Sequence, residues 1–448
     1  MEHYIAMVDK HRERILDAFD YIWKNPETGY REWKTHHYLK TQFEELGYAV
    51  VEAGNIPGFY ADLDTGKQGP MLVIFGEMDG LIIPAHPAAD PETGAVHACG
   101  HVAQVAALVG IAAALKEEGA LDGLCGKIRL VAVPAEEGVE LEFRKQLMKE
   151  GIIHHVSGKE EFLHRGMLDG ADLAFMVHTD TGPFHRGYFN GGSNGKISKT
   201  VEFQGVCAHA GGLPHKGINA LYAANLALSA INSLRETFED DNHIRVHPII
   251  TNGGASVNAI PDKVELVTYV RGATMDALMD ASRKVDRAVA ASAAAMGAKV
   301  RITNTAATLP RWNDRTMMAV FAEAMEEVME IVDVEPEKWG TGCSDMGDIM
   351  SIMPAIHPYV SGAVGTEHGS NYYIECPESA CVASAKVQFV ALRKFLSNGA
   401  ASAMEAIANY KPRFASKEEQ IAYMDSIDRE FDAVVYDEKG NVSLRLYE

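Results

Sequence analysis

Three short, largely apolar runs constrain the class of fold that this chain can adopt. They occupy residues 71–75, 128–133 and 174–177, and each has the length of a buried β-strand. Between the first two lies the segment 105–115, which is apolar on nearly every face and suits a helix packed inside a layered domain. Because buried strands separated by helices form parallel sheets, the pattern predicts an α/β fold with its ligands at the carboxyl ends of the strands.

The middle of the chain has a different pattern. A segment rich in Gly, Asn and Ser, residues 187–195, has the composition of a hinge. After it come two half-exposed strand patterns and two helical ones, at 199–205, 263–270, 219–234 and 275–296. Near residue 309 the helix and buried-strand patterns of the first part resume.

This order of patterns predicts two domains. The first is a three-layer catalytic domain with a mostly parallel sheet, made of residues 1–194 and 309–448, in which 400–448 form a C-terminal extension. The second is a smaller α+β lid or dimerisation domain, inserted at 195–308. The role of the extension stays open.

Composition excludes several classes of partner. The chain has 448 residues and a formal net charge of -21, which argues against binding to nucleic acid, because phosphate contacts need clustered Lys and Arg. No basic segment followed by an apolar stretch opens the chain, and no window approaches about 18 uncharged apolar residues, so we expect no signal peptide and no membrane span. The six cysteines are scattered, as in a reduced cytoplasmic protein.

Two motifs place ligand-type side chains on neighbouring strand-to-helix turns. The first is the run from His97 to His101, in which Cys99 and His101 can converge only if Gly100 forms an irregular turn. A thiolate combined with imidazole and carboxylate selects Zn²⁺ or a similar metal over Mg²⁺ or Ca²⁺. Taken alone, such a pair is more often a buried cysteine beside a surface histidine.

The second motif is the run from Pro134 to Gly138, which ends an apolar strand with Glu136 and Glu137. A turn there lets one carboxylate bind a metal while the other faces the attacking water. His178 and His368 also follow apolar segments, so together these positions suffice for two metals. An isolated glutamate pair is ordinarily a solvated turn, and a histidine at a strand end is ordinarily a hydrogen-bonded residue.

From residue 25 to residue 396 the chain resembles the aminoacylase/carboxypeptidase family of dinuclear metallohydrolases. The resemblance is to the amidohydrolase branch, which includes aminobenzoyl-glutamate hydrolases and auxin-conjugate hydrolases. It implies two divalent ions, Zn or Mn first and Co or Ni next, with Cys99 as the bridge and Glu136 as the general base. It further implies that Asp79 orients a ligating or catalytic neighbour. The implied metal ligands are Cys99, His101, Glu137, His178 and His368.

The same resemblance assigns roles in the inserted domain. The segment from Cys207 to Gly211 is similar to one whose histidine, here His209, enters the active site of the partner subunit, which implies a homodimer or a higher homo-oligomer. Asn258 and Arg271 match positions that hold the substrate's carboxylate or carbonyl. Without the resemblance, His209 is an ordinary loop histidine and Arg271 an ordinary surface residue.

Two departures from the family pattern bear on the substrate. Val102 occupies a position where this branch often has Asp, and Gln104 occupies a position where many members have another histidine. The short Gly-rich segment that usually follows the glutamate pair is replaced by an apparent insertion, residues 139–170. Its histidines either are solvated, or shape the pocket, or supply a ligand: His154, His155 and His164.

These observations predict a metal-dependent amidohydrolase. Its small-molecule substrate is an N-acyl or N-aroyl amino acid or a small dipeptide, and its amide bond is cleaved by water with Glu136 as base and then acid. One alternative, kept open by Val102 and the insertion, is hydrolysis of a non-peptide C–N bond in an aromatic amine. Another is a catalytically silent subunit or small-molecule binding protein, against which the intact ligand positions argue.

Overall fold

The structure, a computed structural model, describes residues 1–446, except for the side chain of residue 306. Residues 447 and 448, which end the predicted catalytic domain and its extension, lie outside the described residues. The chain forms two compact units. Unit 1 consists of Met1–Gly192, Trp312–Trp339 and Asp348–Glu419, and unit 2 of Ser193–Arg311, Gly340–Gly347 and residues 420–446.

The secondary structure alternates between helices and short strands through much of unit 1. The α-helices are α1 (Glu2–Asp9), α2 (Arg12–Trp23), α3 (Trp33–Glu45), α4 (His101–Ala114), α5 (Leu141–Lys149), α6 (Gly158–His164), α7 (Ala220–Ser233), α8 (Met275–Ala295), α9 (Arg315–Glu326), α10 (Met346–Ile349), α11 (Ser384–Leu396), α12 (Ala401–Asn409) and α13 (Lys417–Ile427). The strands are β1 (Val50–Glu52), β2 (Phe59–Asp64), β3 (Met71–Glu77), β4 (Leu81–Ile82), β5 (Ala95–Val96), β6 (Lys127–Val133), β7 (Leu173–Phe175), β8 (His178–Asp180), β9 (Arg186–Ser193), β10 (Gly195–Gln204), β11 (Arg245–Val246), β12 (Ile249–Asn252), β13 (Lys263–Gly272), β14 (Lys299–Thr308), β15 (Arg311–Trp312), β16 (Ile331–Gly340), β17 (Ala355–Ile356), β18 (Tyr359–Ser361), β19 (Ala363–Val364), β20 (Tyr373–Ile374), β21 (Arg429–Tyr436) and β22 (Val442–Leu444).

Unit 1 is built around a six-stranded mixed sheet of order β1-β2-β6-β3-β7-β17. β3 pairs in parallel with β6 and with β7, β7 pairs in parallel with β17, and β1 and β2 form an antiparallel edge. Every residue of α4 is buried, and this helix packs against β3 on one side and against α2 and α11 as well. The predicted α/β class, its three buried strands and its internal helix are therefore confirmed.

The segment 187–195, which the sequence predicts to be a hinge, consists mostly of strand β9, and the boundary between the two units lies within it, after Gly192. β9 pairs with β18 in a smaller sheet of unit 1. A Cβ atom built on Gly191 would lie 2.1 Å from the carbonyl oxygen of Pro336, so glycine there permits close packing. At this position the glycine is required by a close backbone contact.

Unit 2 is an antiparallel sheet of order β11-β13-β10-β14-β21-β22, with β12 also on β13. α7 and α8 pack against this sheet and against each other, which gives an α+β unit. The sequence pattern assigns residues 400–448 to the catalytic domain as an extension. In the structure, β21 pairs with β14 and therefore belongs to unit 2. In this position β21 covers a strand edge that would otherwise be open to pairing.

Within residues 1–446, none of the helices combines the length and the apolar character needed to cross a bilayer.

Candidate metal centre

The first ligand motif is organised by a left-handed glycine. Gly100 has φ 92° and precedes the first residue of α4, so the chain turns sharply between Cys99 and His101. A Cβ atom at this position would lie 2.5 Å from the Tyr372 hydroxyl, so sterics and backbone conformation both require glycine. The predicted irregular turn at Gly100 is therefore present in the structure.

The ring of His101 lies between two carboxylates, one near each of its nitrogens. Its Nδ1 lies 2.9 Å from the carbonyl oxygen of Asp79 and 3.1 Å from the Asp79 Oδ1, and both are acceptors. Its Nε2 lies 3.1 Å from the Oε2 of Glu77. Burial alone would lower the pKa of His101, but Glu77, Asp79 and Glu137 outweigh it and hold that pKa well above its ordinary value. The protein thus stabilises positive charge at Nε2, where a metal ion can replace the proton.

Cys99 lies between two histidines from distant parts of the chain. Its Sγ is 3.4 Å from Nε2 of His178 and 3.4 Å from Nε2 of His368. The Nδ1 of His178 faces the carbonyl oxygen of Thr179 at 2.9 Å, so it carries the proton and leaves Nε2 with its lone pair. Burial, followed by the carboxylates of nearby glutamates, raises the pKa of the Cys99 thiol well above its usual range. Metal binding here must therefore displace a thiol proton.

The turn with the two glutamates is fixed by buried polar contacts. Ala135 has φ 58°, and its N–H donates to Glu32 Oε1 at 2.8 Å. The N–H of Glu137 donates to Asp79 Oδ2 at 2.8 Å, and the Arg144 guanidinium donates to the Glu137 carbonyl oxygen. The side chain of Glu137 points its Oε1 to within 3.4 Å of the Nε2 of His368.

A divalent cation fits this donor set. Within the described residues, the buried Oε1 of Glu137 has no hydrogen-bond donor. Ligand atoms of Cys99, His101 and His178 lie within 4.8 Å of one another, as do those of Glu77, His101 and Glu136. Since burying several carboxylates together is costly unless positive charge accompanies them, the cluster suits a metal. All five predicted ligands lie in this cluster, and Glu136 lies beside them.

Asp79 joins the two ligand turns, because one oxygen accepts from His101 and the other from the Glu137 N–H. These contacts lower its pKa to about 2 even though burial alone would raise it. Asp79→Asn keeps the shape but turns one acceptor into a donor, so one of the two contacts must be lost. We expect metal affinity about 10–100-fold weaker, measured by competition with a chelator. Asp64→Asn, at a carboxylate with a 58% exposed side chain, is the matched control, and equal affinities in both variants would contradict this role.

The sequence did not reveal a second carboxylate system behind His101. Glu77, at the end of β3, forms a buried ion pair with Lys159 and accepts from the Gln104 amide at 2.8 Å. Burial tends to raise the pKa of Glu77, but Lys159 and the nearby histidines lower it overall. A glutamate that ends a buried strand, two residues before Asp79, is a sign that could have identified it.

The predicted residues of the inserted domain lie in unit 2. His209 is exposed, and its Nδ1 accepts from the N–H groups of Gly211 and Gly212 at 3.2 and 3.1 Å. Its Nε2 therefore bears the proton and can donate to an oxygen. Asn258 adjoins it, since its carbonyl oxygen accepts from Ala210 N–H at 2.9 Å.

Arg271 lies on β13 and makes different contacts. Its guanidinium donates to the carbonyl oxygen of Thr341 at 3.3 Å and lies near the Tyr269 ring. The three predicted residues of unit 2 thus occupy two places, the His209 loop and the β13 strand.

Comparison with known proteins identifies the class. The model of peptidase family M20/M25/M40 matches residues 58–394. The Xaa-Arg dipeptidase of Mus musculus is 28% identical over 372 residues, 79% of this chain and 77% of the relative. One of the two subunits of the p-aminobenzoyl-glutamate hydrolase of Escherichia coli is 30% identical over 277 residues, 60% of this chain and 53% of the relative. A dinuclear metal-binding peptidase structure from Bacillus subtilis superposes with TM-score 0.64 at 21% identity, over 86% of this chain and 98% of that one.

These matches define a metal-dependent hydrolase that acts on carbon–nitrogen bonds. Within that class, the chain belongs to peptidase family M20/M25/M40. The resemblance drawn from the two ligand motifs is confirmed, and so is the enzyme class predicted from it.

Proposed function

We propose that this enzyme hydrolyses the amide bond of an N-acyl or N-aroyl amino acid or a small dipeptide at a two-metal centre. The observation that supports this most directly is the position of Cys99, whose Sγ lies 3.4 Å from the Nε2 of both His178 and His368. A thiolate between two groups of ligands is suited to bridge two ions.

The proposed ligands are Cys99, His101, Glu137, His178 and His368, with Zn or Mn as the first choice of metal and Co or Ni as the next. Two ions bound there would lower the pKa of water towards neutrality and polarise the carbonyl of the scissile amide. Because the set mixes sulfur, nitrogen and oxygen donors, it favours transition metals over Mg²⁺ and Ca²⁺.

Glu136 moves the proton in this proposal. Its carboxylate lies in the cluster with Glu77 and His101, and it is less buried than Glu137, so it can face a substrate. It takes a proton from the attacking water, and the oxygen of that water forms the new bond to the carbonyl carbon. It then returns the proton to the amine nitrogen as the C–N bond breaks. One carboxylate thus acts as base and then as acid.

The remaining roles belong to unit 2 and require a homodimer. His209 of the partner subunit would donate its Nε2–H to the substrate carbonyl oxygen as negative charge develops on it. Arg271, which is suited to bidentate contacts, would bind the substrate's carboxylate, and Asn258 would bind beside it. The tautomer of His209 set by Gly211 and Gly212 supports the donor role.

The proposed substrates share an amide bond to an amino acid. Two relatives of the chain are named for an Xaa-Arg dipeptide and for p-aminobenzoyl-glutamate, and both of these compounds contain such a bond. A panel of N-acyl amino acids, aminobenzoyl conjugates, dipeptides and arylamines, analysed by mass spectrometry, tests the proposal. We expect a released amino acid, together with about two metal ions per chain bound at the Cys99 centre.

Each of the other possible outcomes would indicate a different function. Ammonia as the only amine product would indicate deamination of an aromatic amine, and binding without any product would indicate a silent subunit. Protein that binds no metal would refute the assigned centre. A cytoplasmic location remains a prediction that cell fractionation can test.

A further inference from the structure

We propose that His154, His155 and His164 form an additional metal site, outside the hydrolytic centre and selective for Zn²⁺ or a similar transition metal. The three histidines lie in the insertion, on the loop between α5 and α6 and at the last residue of α6. This inference concerns a different part of unit 1 and does not rest on the proposed function.

The three imidazoles already face one another. One ligand nitrogen from each lies within 4.8 Å of the others. The rings of His154 and His164 are stacked with centroids 4.3 Å apart, and the ring of His155 lies 4.5 and 5.7 Å from them. Three imidazoles are ligands for Zn²⁺ and related metals, whereas Mg²⁺ and Ca²⁺ prefer oxygen.

His155 is the fixed member of the group. It is only 4% exposed, and its Nδ1 lies 3.2 Å from the Oε1 of the buried Glu160. Its Nε2 is buried, and within residues 1–446 it has no hydrogen-bond partner. Burial, followed by the neighbouring His154 and His164, lowers the pKa of His155 to about 3, so the ring is neutral and keeps a lone pair for a cation.

The backbone around the histidines is pinned in place. Glu161 Oε2 accepts from the N–H groups of both His154 and His155 at 2.8 Å, and Arg165 Nε donates to Glu161 Oε1 at 2.6 Å. The hydroxyl of Tyr30 donates to the carbonyl oxygen of His155 at 2.9 Å. The loop is therefore tied to the helix that presents His164 before any ion binds.

The exposed rings supply the adjustment that binding needs. Zn–N bonds of about 2.0–2.1 Å in a tetrahedral site place ligand nitrogens roughly 3.4 Å apart, so nitrogens that lie within 4.8 Å of one another need to approach by at most about 1.4 Å. His154 and His164 are exposed and can rotate, while His155 stays in place.

An ion bound here would stabilise the insertion, which contacts the hydrolytic centre. α6 begins at Gly158, whose N–H donates to the carbonyl oxygen of Ala135 at 3.2 Å, next to Glu136. The following residue, Lys159, pairs with Glu77 beside His101. An ion bound by the three histidines would join the loop before α6 to the last residue of α6. It would therefore stabilise the segment that supports the glutamate turn.

The test counts ions in the whole protein, purified without an immobilised-metal column. Wild type, His154→Ala/His164→Ala and the control His3→Ala/His37→Ala, which removes two exposed histidines elsewhere, are loaded with Zn²⁺, desalted and analysed by elemental mass spectrometry. We expect the cluster variant to bind one ion fewer than the other two and to lose part of the zinc-dependent rise in thermal midpoint. Equal ion counts in all three proteins would overturn the site.

Two further measurements separate this site from the hydrolytic centre and from casual surface binding. Co²⁺ bound at Cys99 gives a thiolate charge-transfer band, which the cluster variant should keep, so failure of one centre is distinguishable from failure of the other. His155→Ala should also lose one ion. If His154→Ala/His164→Ala loses one ion but His155→Ala still binds it, the three-histidine site is refuted.

Discussion

Replacing Glu136 with glutamine is expected to lower kcat by about 10²–10⁴-fold, because the amide keeps the shape of the side chain but cannot accept the proton of the attacking water. Metal content should stay that of the wild type, since Glu137 and not Glu136 is the proposed ligand. The measurement is product formation under saturating substrate, combined with elemental analysis of the same preparation.

Glu142→Gln is the matched control, because its side chain is 86% exposed on α5 and makes the same chemical change outside the cluster. It should turn over like the wild type. Loss of a metal ion in Glu136→Gln would reassign this residue as a ligand. Full activity with unchanged metal would remove the base from the proposed mechanism.

The sequence predicted the convergence of the ligands for a physical reason. Asp79, Glu137 and His178 follow β3, β6 and β7, which are parallel neighbours in one sheet, and the carboxyl edge of such strands gathers side chains from remote positions. The turn at Gly100 followed from a steric argument, since ligands two residues apart cannot converge on a regular helix. The parts of the site that depend on motifs and on strand order could therefore be predicted from the sequence.

The sequence could not predict the polar support behind those ligands. Lys159 is in a polar helix that also holds Glu160 and Glu161, a composition typical of a solvated surface. All three are nonetheless buried. Lys159 pairs with Glu77 from the distant strand β3, whereas Glu160 and Glu161 contact His155 and Arg165, which adjoin the helix. Burial of charge is decided by such tertiary pairs, which periodicity does not encode.

The same limit explains two features of the chain's organisation that the sequence does not predict. The glycines at 187–195 have the composition of a loop, but Gly191 lets β9 lie close to the backbone at Pro336. The strand at Arg429–Tyr436 returns to β14 through pairing across more than a hundred residues. Both features depend on which backbone lies alongside, and a local pattern does not contain that information.

Lys159→Met is expected to destabilise the protein by about 3–5 kcal/mol, because it leaves the carboxylate of Glu77 buried without its cation. Lys159 is 0% exposed and Glu77 is 1% exposed, so water cannot replace the lost partner. The thermal midpoint of the metal-loaded protein is the measurement. Lys145→Met, in which the lost partner Glu142 is largely exposed, should change stability by no more than about 1 kcal/mol.

A double variant distinguishes lost charge compensation from lost packing. Glu77→Gln/Lys159→Met removes both charges, while the glutamine can keep a hydrogen bond to Gln104, so it should recover much of the stability that Lys159→Met loses. If the double variant is as unstable as the single one, the loss comes from packing of the lysine stem. Recovered stability with weakened metal affinity would instead indicate that the charge of Glu77 also supports the ion at His101, since its Oε2 lies 3.1 Å from His101 Nε2.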